Sequence, residues 1–138
     1  MLLNDLGDYL SSGGIGTVGT DLFLGTLPTA PDNAVAIYET GGLGAIHAMN
    51  PNAGQAKVER PRIQVVSRGG ANSYEAARAV AQKAWLLLDG LPTRTINGTQ
   101  YHWGACVQSP FLMGRDEPAN RPLIAFNVDL VKALSSTS

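Results

Sequence analysis

Residues 124–130 alternate between apolar side chains and small or polar ones, and this pattern constrains the fold more than any other feature of the chain. Side chains of a β-strand point to opposite faces in turn, so one face of this strand is apolar. An apolar sheet face must pack against other elements to form a core. The predicted core face consists of Ile124, Phe126, Val128 and Leu130. A charged turn at residues 114–122 leads into the strand.

Similar patterns divide the rest of the chain into helices and strands. They predict helices at residues 2–12 and 73–89, strands at residues 20–27, 33–40 and 62–68, and a hairpin of two strands within residues 93–109. Because the strands come in groups and do not alternate with helices, we predict an α+β fold with a mostly antiparallel β-sheet flanked by helices, in the order α-β-β-β-α-β-β-β. The 138 residues are expected to form a single domain, 1–138.

The helix predicted at residues 73–89 has recognisable ends. Asn72 is placed to cap its N-terminus, and Glu75 follows three residues later as in a capping box. Gly90 and Pro92 favour its end there. The predicted buried face consists of Ala77, Val80, Ala84, Leu87, Leu88 and Leu91. Its alanines would let the helix approach a sheet closely.

Turn-forming residues indicate where the chain reverses direction. Asn97-Gly98 favours a type I′ turn, which matches the twist of a hairpin. Between residues 41 and 61 the periodicity is lost and glycine, asparagine and proline are frequent, so we predict a long loop at residues 43–60. Residues 133–138 are polar and are predicted to form a loose tail.

Composition excludes several classes of protein. Net charge is −1, so a broad basic face for nucleic acid is not expected. The single cysteine, Cys106, excludes an internal disulfide and a cysteine-rich zinc site. No apolar stretch approaches the roughly 18 residues of a membrane span. Charged residues make up only 15% of the chain, which indicates either a surface covered in an assembly or a surface rich in uncharged polar residues.

The sequence G-I-G-T-V-G at residues 14–19 has the spacing of a dinucleotide-binding motif. Such a motif needs a strand before it and a helix after it, because the helix N-terminus binds the pyrophosphate. Here a predicted helix comes before and a predicted strand after. The segment is therefore interpreted as a flexible connector.

Other arrangements that could suggest chemistry are also weak. His102 and Cys106 lie on one face of a predicted strand, but four residues of extended chain separate them by about 13 Å. Adjacent Asp116 and Glu117 are more simply solvated charges, or partners of neighbouring arginines, than an acid–base pair. We therefore expect no catalytic residue, no metal site and no cofactor. Trp103 is predicted to pack in the core.

Polar and charged residues on one strand and in two loops are candidates for contact with a partner. Arg62, Gln64, Val66 and Arg68 share a strand face, which is either a solvated face or a subunit contact. The loop candidates are Arg115, Asp116, Glu117 and Arg121 in the charged turn and Lys57, Glu59 and Arg60 near the end of the long loop.

Three segments, taken in their order and spacing, resemble the tail terminator family of long-tailed bacteriophages, often described as minor capsid or head–tail joining proteins. The first is P-D-N-A-V-A-I-Y-E-T-G-G at residues 31–42. The second is P-R-I-Q-V-V-S-R-G at residues 61–69, followed by a helix that starts near Tyr74-Glu75 and ends in L-D-G-L. The third runs from I-N-G-T at residue 96 through S-P-F and G-R-D-E to the last strand.

This resemblance implies a structural protein of the virion and not an enzyme. Members of the family close into a ring, usually a hexamer, at the head-proximal end of the tail tube, where they end tube polymerisation and offer a docking surface to the head connector. The implied partners are copies of the same chain, the tail tube protein and the connector protein of the neck. DNA would only pass through the lumen, no membrane would be involved, and assembly would take place in the host cytoplasm.

Two alternatives remain at this point. One is another neck protein that completes the head. The other, of a different class, is a small ligand-binding or enzymatic α+β domain, for which the glycine motif and the His102/Cys106 pair are the best support.

Overall fold

The computed structural model describes residues 2–47, 56–71, 73–116 and 120–133. These residues form two helices and a seven-stranded sheet. In chain order the elements are α1 (Leu2–Ser12), β1 (Leu22–Leu24), β2 (Ala34–His47), β3 (Ala56–Arg68), α2 (Tyr74–Leu88), β4 (Arg94–Ile96), β5 (Thr99–Cys106), β6 (Phe111–Asp116) and β7 (Arg121–Ala133). A mostly antiparallel sheet with two helices agrees with the predicted α+β class.

Strand β7 lies at the centre of the sheet. The strand order is β1-β2-β3-β7-β5-β4, and β6 pairs with β7 beside β5. Only β1 and β2 are parallel, and all other neighbours are antiparallel. One edge of β7 therefore pairs with β3, while β5 and β6 follow each other along the opposite edge.

The core lies between the helices and one face of this sheet. Ile124, Phe126, Val128 and Leu130 of β7 are all buried there, as the alternation predicts. Helix α1 contributes Leu2, Leu6 and Leu10, spaced four residues apart on one face. Burying one leucine side chain contributes about 1.5–3 kcal/mol, so this stripe fixes α1 on the sheet.

Helix α2 presents small residues to the sheet. Ala77, Ala81, Ala84 and Leu88 are its buried residues. The hydroxyl of Ser67 on β3 donates a hydrogen bond of 2.9 Å to the carbonyl oxygen of Ala77. The backbone of α2 can approach β3 this closely because the helix carries small alanine side chains on the face that packs against the sheet. The predicted cap Asn72 lies outside the described residues, and Gly90, with φ of 68°, follows the helix as predicted.

A buried polar pair joins α1 to β5. The hydroxyl of Tyr101 donates a hydrogen bond of 2.7 Å to the Asp5 carboxylate. Burial raises the pKa of Tyr101 well above its ordinary value, and the hydrogen bond to Asp5 raises it further. The phenol stays protonated over the physiological pH range and keeps its role as donor.

The predicted long loop at residues 43–60 is wrong over most of its length. β2 continues to His47 and β3 begins at Ala56, so the two strands form one long hairpin. Register shifts interrupt the pairing after Thr40. A Cβ at Gly42 would collide with the Arg60 carbonyl oxygen, so glycine permits a close approach of two bulged strands. The glycines that suggested a loop belong to an irregular strand.

The predicted element order lacks one strand. Residues 111–116 form β6, although the sequence suggested that the charged turn begins at residue 114. The turn is narrower, because Asp116 already pairs with Arg121 across the hairpin. The Asn97-Gly98 turn between β4 and β5 is confirmed, with φ of 50° and 81°.

Candidate functional site

Two buried arginines meet where β3, β6 and β7 come together. Arg68 ends β3 and Arg121 begins β7, and both residues are at most 5% exposed. They share one carboxylate: Asp116 Oδ2 accepts a hydrogen bond of 3.1 Å from Arg68 Nη1 and one of 2.7 Å from Arg121 Nη2. Asp116 is therefore a partner of Arg121, one of the two roles anticipated for it, and also of Arg68.

The same arginines hold the loop before β2. Arg68 donates to the carbonyl oxygens of Pro31, at 2.6 Å, and Asp32, at 3.1 Å. Arg121 Nη1 donates to the Thr29 carbonyl oxygen at 2.6 Å and to Asp32 Oδ1 at 3.0 Å. Two cations and two carboxylates balance in charge. We call Arg68, Arg121, Asp32 and Asp116 the arginine cluster.

The sheet face away from the helices carries an exposed ion pair. Arg62 on β3 lies opposite Asp129 on β7, with Nε–Oδ1 and Nη2–Oδ2 distances of 2.5 and 3.1 Å. This hydrogen-bonded carboxylate raises the pKa of Arg62. Glu59 is also paired within the chain, 3.2 Å from the ammonium of Lys132. Arg62 and Glu59, two of the candidate contact residues, are therefore already paired within the subunit.

The remaining candidate contact residues differ in exposure. Arg115 on β6 is exposed and Gln64 is half-buried. Val66 is only 2% exposed, in a row of small residues between Ala36 and Ala125 on the outer face. Arg60 is half-buried. Glu117 and the side chain of Lys57 lie outside the described part of the chain.

Several apolar side chains are exposed on β5, on β6 and in the connection between them. We call this group the apolar edge; it consists of Trp103, Val107, Phe111, Leu112 and Met113, each between 37% and 49% exposed. Sequence reasoning missed this group because residues 111–113 were assigned to no strand and Trp103 was placed in the core.

Trp103 faces outward because β5 contains a bulge. The pairing with β7 shifts between Tyr101 and Trp103, so strict alternation is lost at His102. Tyr101 is buried, and Gly104 lies on the core side, where an added Cβ would be 3.0 Å from Leu130 and 3.1 Å from Leu91. This glycine was the sequence signal that could have revealed the shift.

Comparison with known families identifies the chain. A family model described as "Bacteriophage tail terminator protein" matches residues 9–132. The chain belongs to the bacteriophage tail terminator family. Its function is therefore that of a structural protein of the phage virion, in agreement with the predicted family.

Solved structures that resemble this tail terminator family member share its fold at low sequence identity. One, "Virion of native gene transfer agent (GTA) particle", has 13% identity and a TM-score of 0.56, covering 94% of this chain and 84% of the other. Another has 11% identity and a TM-score of 0.57, covering 97% and 91%. At these identities the likeness concerns the fold alone. No curated protein sequence matches the chain.

The glycine motif is a connector, as interpreted from the sequence. It lies between α1 and β1, with Gly14 and Gly19 at φ of 86° and 89°. The Asp21 carboxylate accepts a hydrogen bond of 2.6 Å from the Thr17 backbone N–H, which closes the turn. This tail terminator family member therefore uses the segment to join two elements, without the strand–helix geometry of a dinucleotide site.

Metal and thiol chemistry find little support in the structure. Among the described residues there is no group of three or more His, Cys, Asp or Glu side chains placed to hold a metal ion. Burial raises the pKa of Cys106 to about 12, with a smaller contribution from Asp89. A thiol with so high a pKa is a poor nucleophile near neutral pH. Neither α1 nor α2 is long and apolar enough to cross a membrane.

Proposed function

We propose that this protein forms a ring at the head-proximal end of a phage tail tube, ends tube polymerisation and offers a docking surface to the head connector. The observation that carries the proposal is the family match over residues 9–132. In this role the protein binds copies of itself, six of them in the usual ring of this family. It also binds the tube protein and the connector, and DNA passes through the lumen without specific binding.

The exposed apolar edge supports an assembled state. Large apolar side chains that are exposed close together, as Phe111, Leu112 and Met113 are in sequence, are typical of surfaces covered by another protein. The low charge content of 15% points the same way. A virion protein of this kind is assembled in the host cytoplasm and works in the neck of the particle.

Among the charged candidates, we assign direct contact to Arg115. It is exposed on β6 next to the apolar edge, whereas Arg68 and Arg121 are buried and hold β6 in place from within. Gln64 and Arg62 contribute on the outer sheet face. Asp116 positions the strand that carries Arg115, and Glu59, Arg60, Lys57 and Glu117 remain candidates for axial contacts.

Assembly of the purified chain tests the proposal. Light scattering and negative-stain imaging are carried out on the chain alone, with tail tube protein, and with connector protein. Rings that bind the end of the tube support the proposal. A chain that stays monomeric in all three mixtures contradicts it, and rings that bind the connector but never the tube indicate a different neck protein.

A charge reversal isolates the role of Arg115. Arg115→Glu is expected to lower assembly affinity while leaving the melting temperature of the isolated domain nearly unchanged, because an exposed side chain contributes little to folding. Lys83→Glu, on the exposed face of α2, is the matched control. Equal loss of assembly in both variants would show that net charge, and not this position, controls association.

A further inference from the structure

Among the strand edges left unpaired in the described part of the sheet are one on β6 and one on β2. Within the described residues β6 pairs only with β7, and β2 from Tyr38 onward pairs only with β3, because β1 reaches no further than Ile37. Phe111 of β6 lies opposite Ala125 of β7, which in turn lies opposite Val66 of β3, so these three residues form one row across the sheet. The row through Thr40 continues through Arg62 and Asp129. The β6 edge is thus displaced along the strands from the free edge of β2.

Both edges lack two of the features that usually keep sheet edges apart. Natural edge strands carry charged residues or proline that prevent pairing with another chain. Residues 40–46 of β2 and 111–114 of β6 contain neither, although each strand has a bulge. Thr40, Gly41 and Gly42 are exposed beside this edge of β2. An edge of this kind is prone to pair with a strand of another chain.

The two edges are complementary in size and in charge. The β6 edge presents the large apolar side chains Phe111, Leu112 and Met113, while exposed β2 offers two glycines that leave room for them. The exposed charge beside the β6 edge is Arg115, and the one beside the β2 edge is Glu39. The apolar side chains and the positive charge at the β6 edge of one copy therefore match the glycines and the negative charge at the β2 edge of a second copy.

We propose that the free edge of β6 in one copy pairs with the free edge of β2 in the next copy, so that neighbouring subunits share a continuous sheet. The contact is head-to-tail, since it uses two different surfaces of the chain, and such contacts close into rings when the rotation between copies allows it. Strands that are tilted around a closed ring require a stagger between neighbours, and the displacement of the two edges provides one. This inference rests on the proposed ring function and names its subunit contact.

Cysteine cross-linking tests the contact in the full chain. In Thr40→Cys/Met113→Cys, a disulfide can form only where the two Cα atoms of neighbouring copies come within roughly 7 Å. Mild oxidation is expected to give a ladder of linked copies that ends at the ring size, whereas each single variant gives no ladder. Cys106 stays in place, and Cys106→Ala in the same background confirms that it takes no part.

Two neighbouring pairings, Thr40→Cys/Leu112→Cys and Gly42→Cys/Met113→Cys, allow for a shift in register. Assemblies that form but give no ladder with any of the three pairs overturn the edge contact and leave the ring proposal standing. A chain that never assembles, alone or with tube protein, overturns both.

A substitution series provides an independent measurement. Met113→Lys is expected to weaken assembly at least tenfold, with little change in melting temperature, because it adds a charge to the edge. Leu86→Lys is the control, since Leu86 is a 65% exposed apolar residue on α2. If Leu86→Lys weakens assembly equally, association is non-specific and the edge contact is wrong.

Discussion

The arginine cluster and the β6 part of the apolar edge meet at the β6–β7 hairpin, where they reverse the usual distribution of polarity. Arg68 and Arg121 are buried and share the Asp116 carboxylate, while Phe111, Leu112 and Met113 are exposed. Most proteins keep arginine at the surface and large apolar side chains inside. The charges at this corner hold β6 within the subunit, whereas in the proposed assembly the apolar side chains contact a neighbouring copy.

Breaking the arginine cluster is expected to lower the stability of this corner strongly. In Asp116→Asn the two buried guanidinium groups lose the charge they share, which costs about 3 kcal/mol in the free energy of unfolding. Urea denaturation followed by circular dichroism measures the loss. A change below about 1 kcal/mol would show that the carbonyl oxygens of Thr29, Pro31 and Asp32 suffice to hold the arginines.

Alkaline pH is expected to destabilise the fold through Tyr101 and Cys106 on β5 and not through the arginine cluster. The pKa values of Tyr101 and Cys106 are raised in the folded state, Cys106 to about 12, so the folded protein retains protons that the unfolded chain releases. Both groups contribute fully to the free energy of unfolding below about pH 9. Above the ordinary pKa of each group, its contribution falls by about 1.4 kcal/mol per pH unit.

Denaturation midpoints between pH 8 and 11 measure this slope. Cys106→Ala should remove the loss of stability that begins near pH 9. Tyr101→Phe should remove the loss that begins near pH 10, the ordinary pKa of tyrosine. A slope that neither substitution changes would place the sensitive groups elsewhere in the chain.

Two aromatic residues on β5, one buried and one exposed, allow effects on folding and on assembly to be compared. Trp103→Ser should change the free energy of unfolding by less than about 1 kcal/mol, because nearly half of Trp103 is exposed, yet it should weaken assembly. Tyr101→Ser, at a buried position of the same strand, should unfold the protein far more easily. Chemical denaturation and light scattering on both variants separate the two effects.

The smallest expected effect concerns the exposed ion pair. Asp129→Asn breaks the contact with Arg62 but should cost less than about 1 kcal/mol, since solvent and salt screen a partly exposed pair. Comparison with Asp116→Asn at low and high salt checks the interpretation. Similar losses in both variants would mean that burial does not distinguish the two sites.

The sequence alone predicts the parts of the fold that depend on local pattern. Alternation identifies the core face of β7, and the Asn97-Gly98 turn fixes the β4–β5 hairpin. Both depend on residues close together in the chain, so their physical causes are visible in the sequence. The family resemblance also follows from short segments in order.

The parts that could not be predicted depend on contacts between distant residues. Gly42 is needed where β2 approaches Arg60, and Gly104 where β5 approaches Leu91 and Leu130. A glycine in either place is equally consistent with a loop. Most partners of Arg68 and Arg121 are likewise hidden in the sequence. Apart from Asp116, which lies five residues from Arg121, they are 36 to 92 residues away in the chain.

The central position of β7 has a consequence for the order of events during synthesis. This strand follows all other described elements in the chain, yet it lies between β3 and the β5–β6 edge. A nascent chain that has not yet reached residue 121 therefore has its edge strands but lacks the strand that joins them. Contacts so distant in sequence form late in folding. A ribosome-bound fragment cannot present a finished subunit, and the surfaces that bind neighbours appear only when the whole sheet closes.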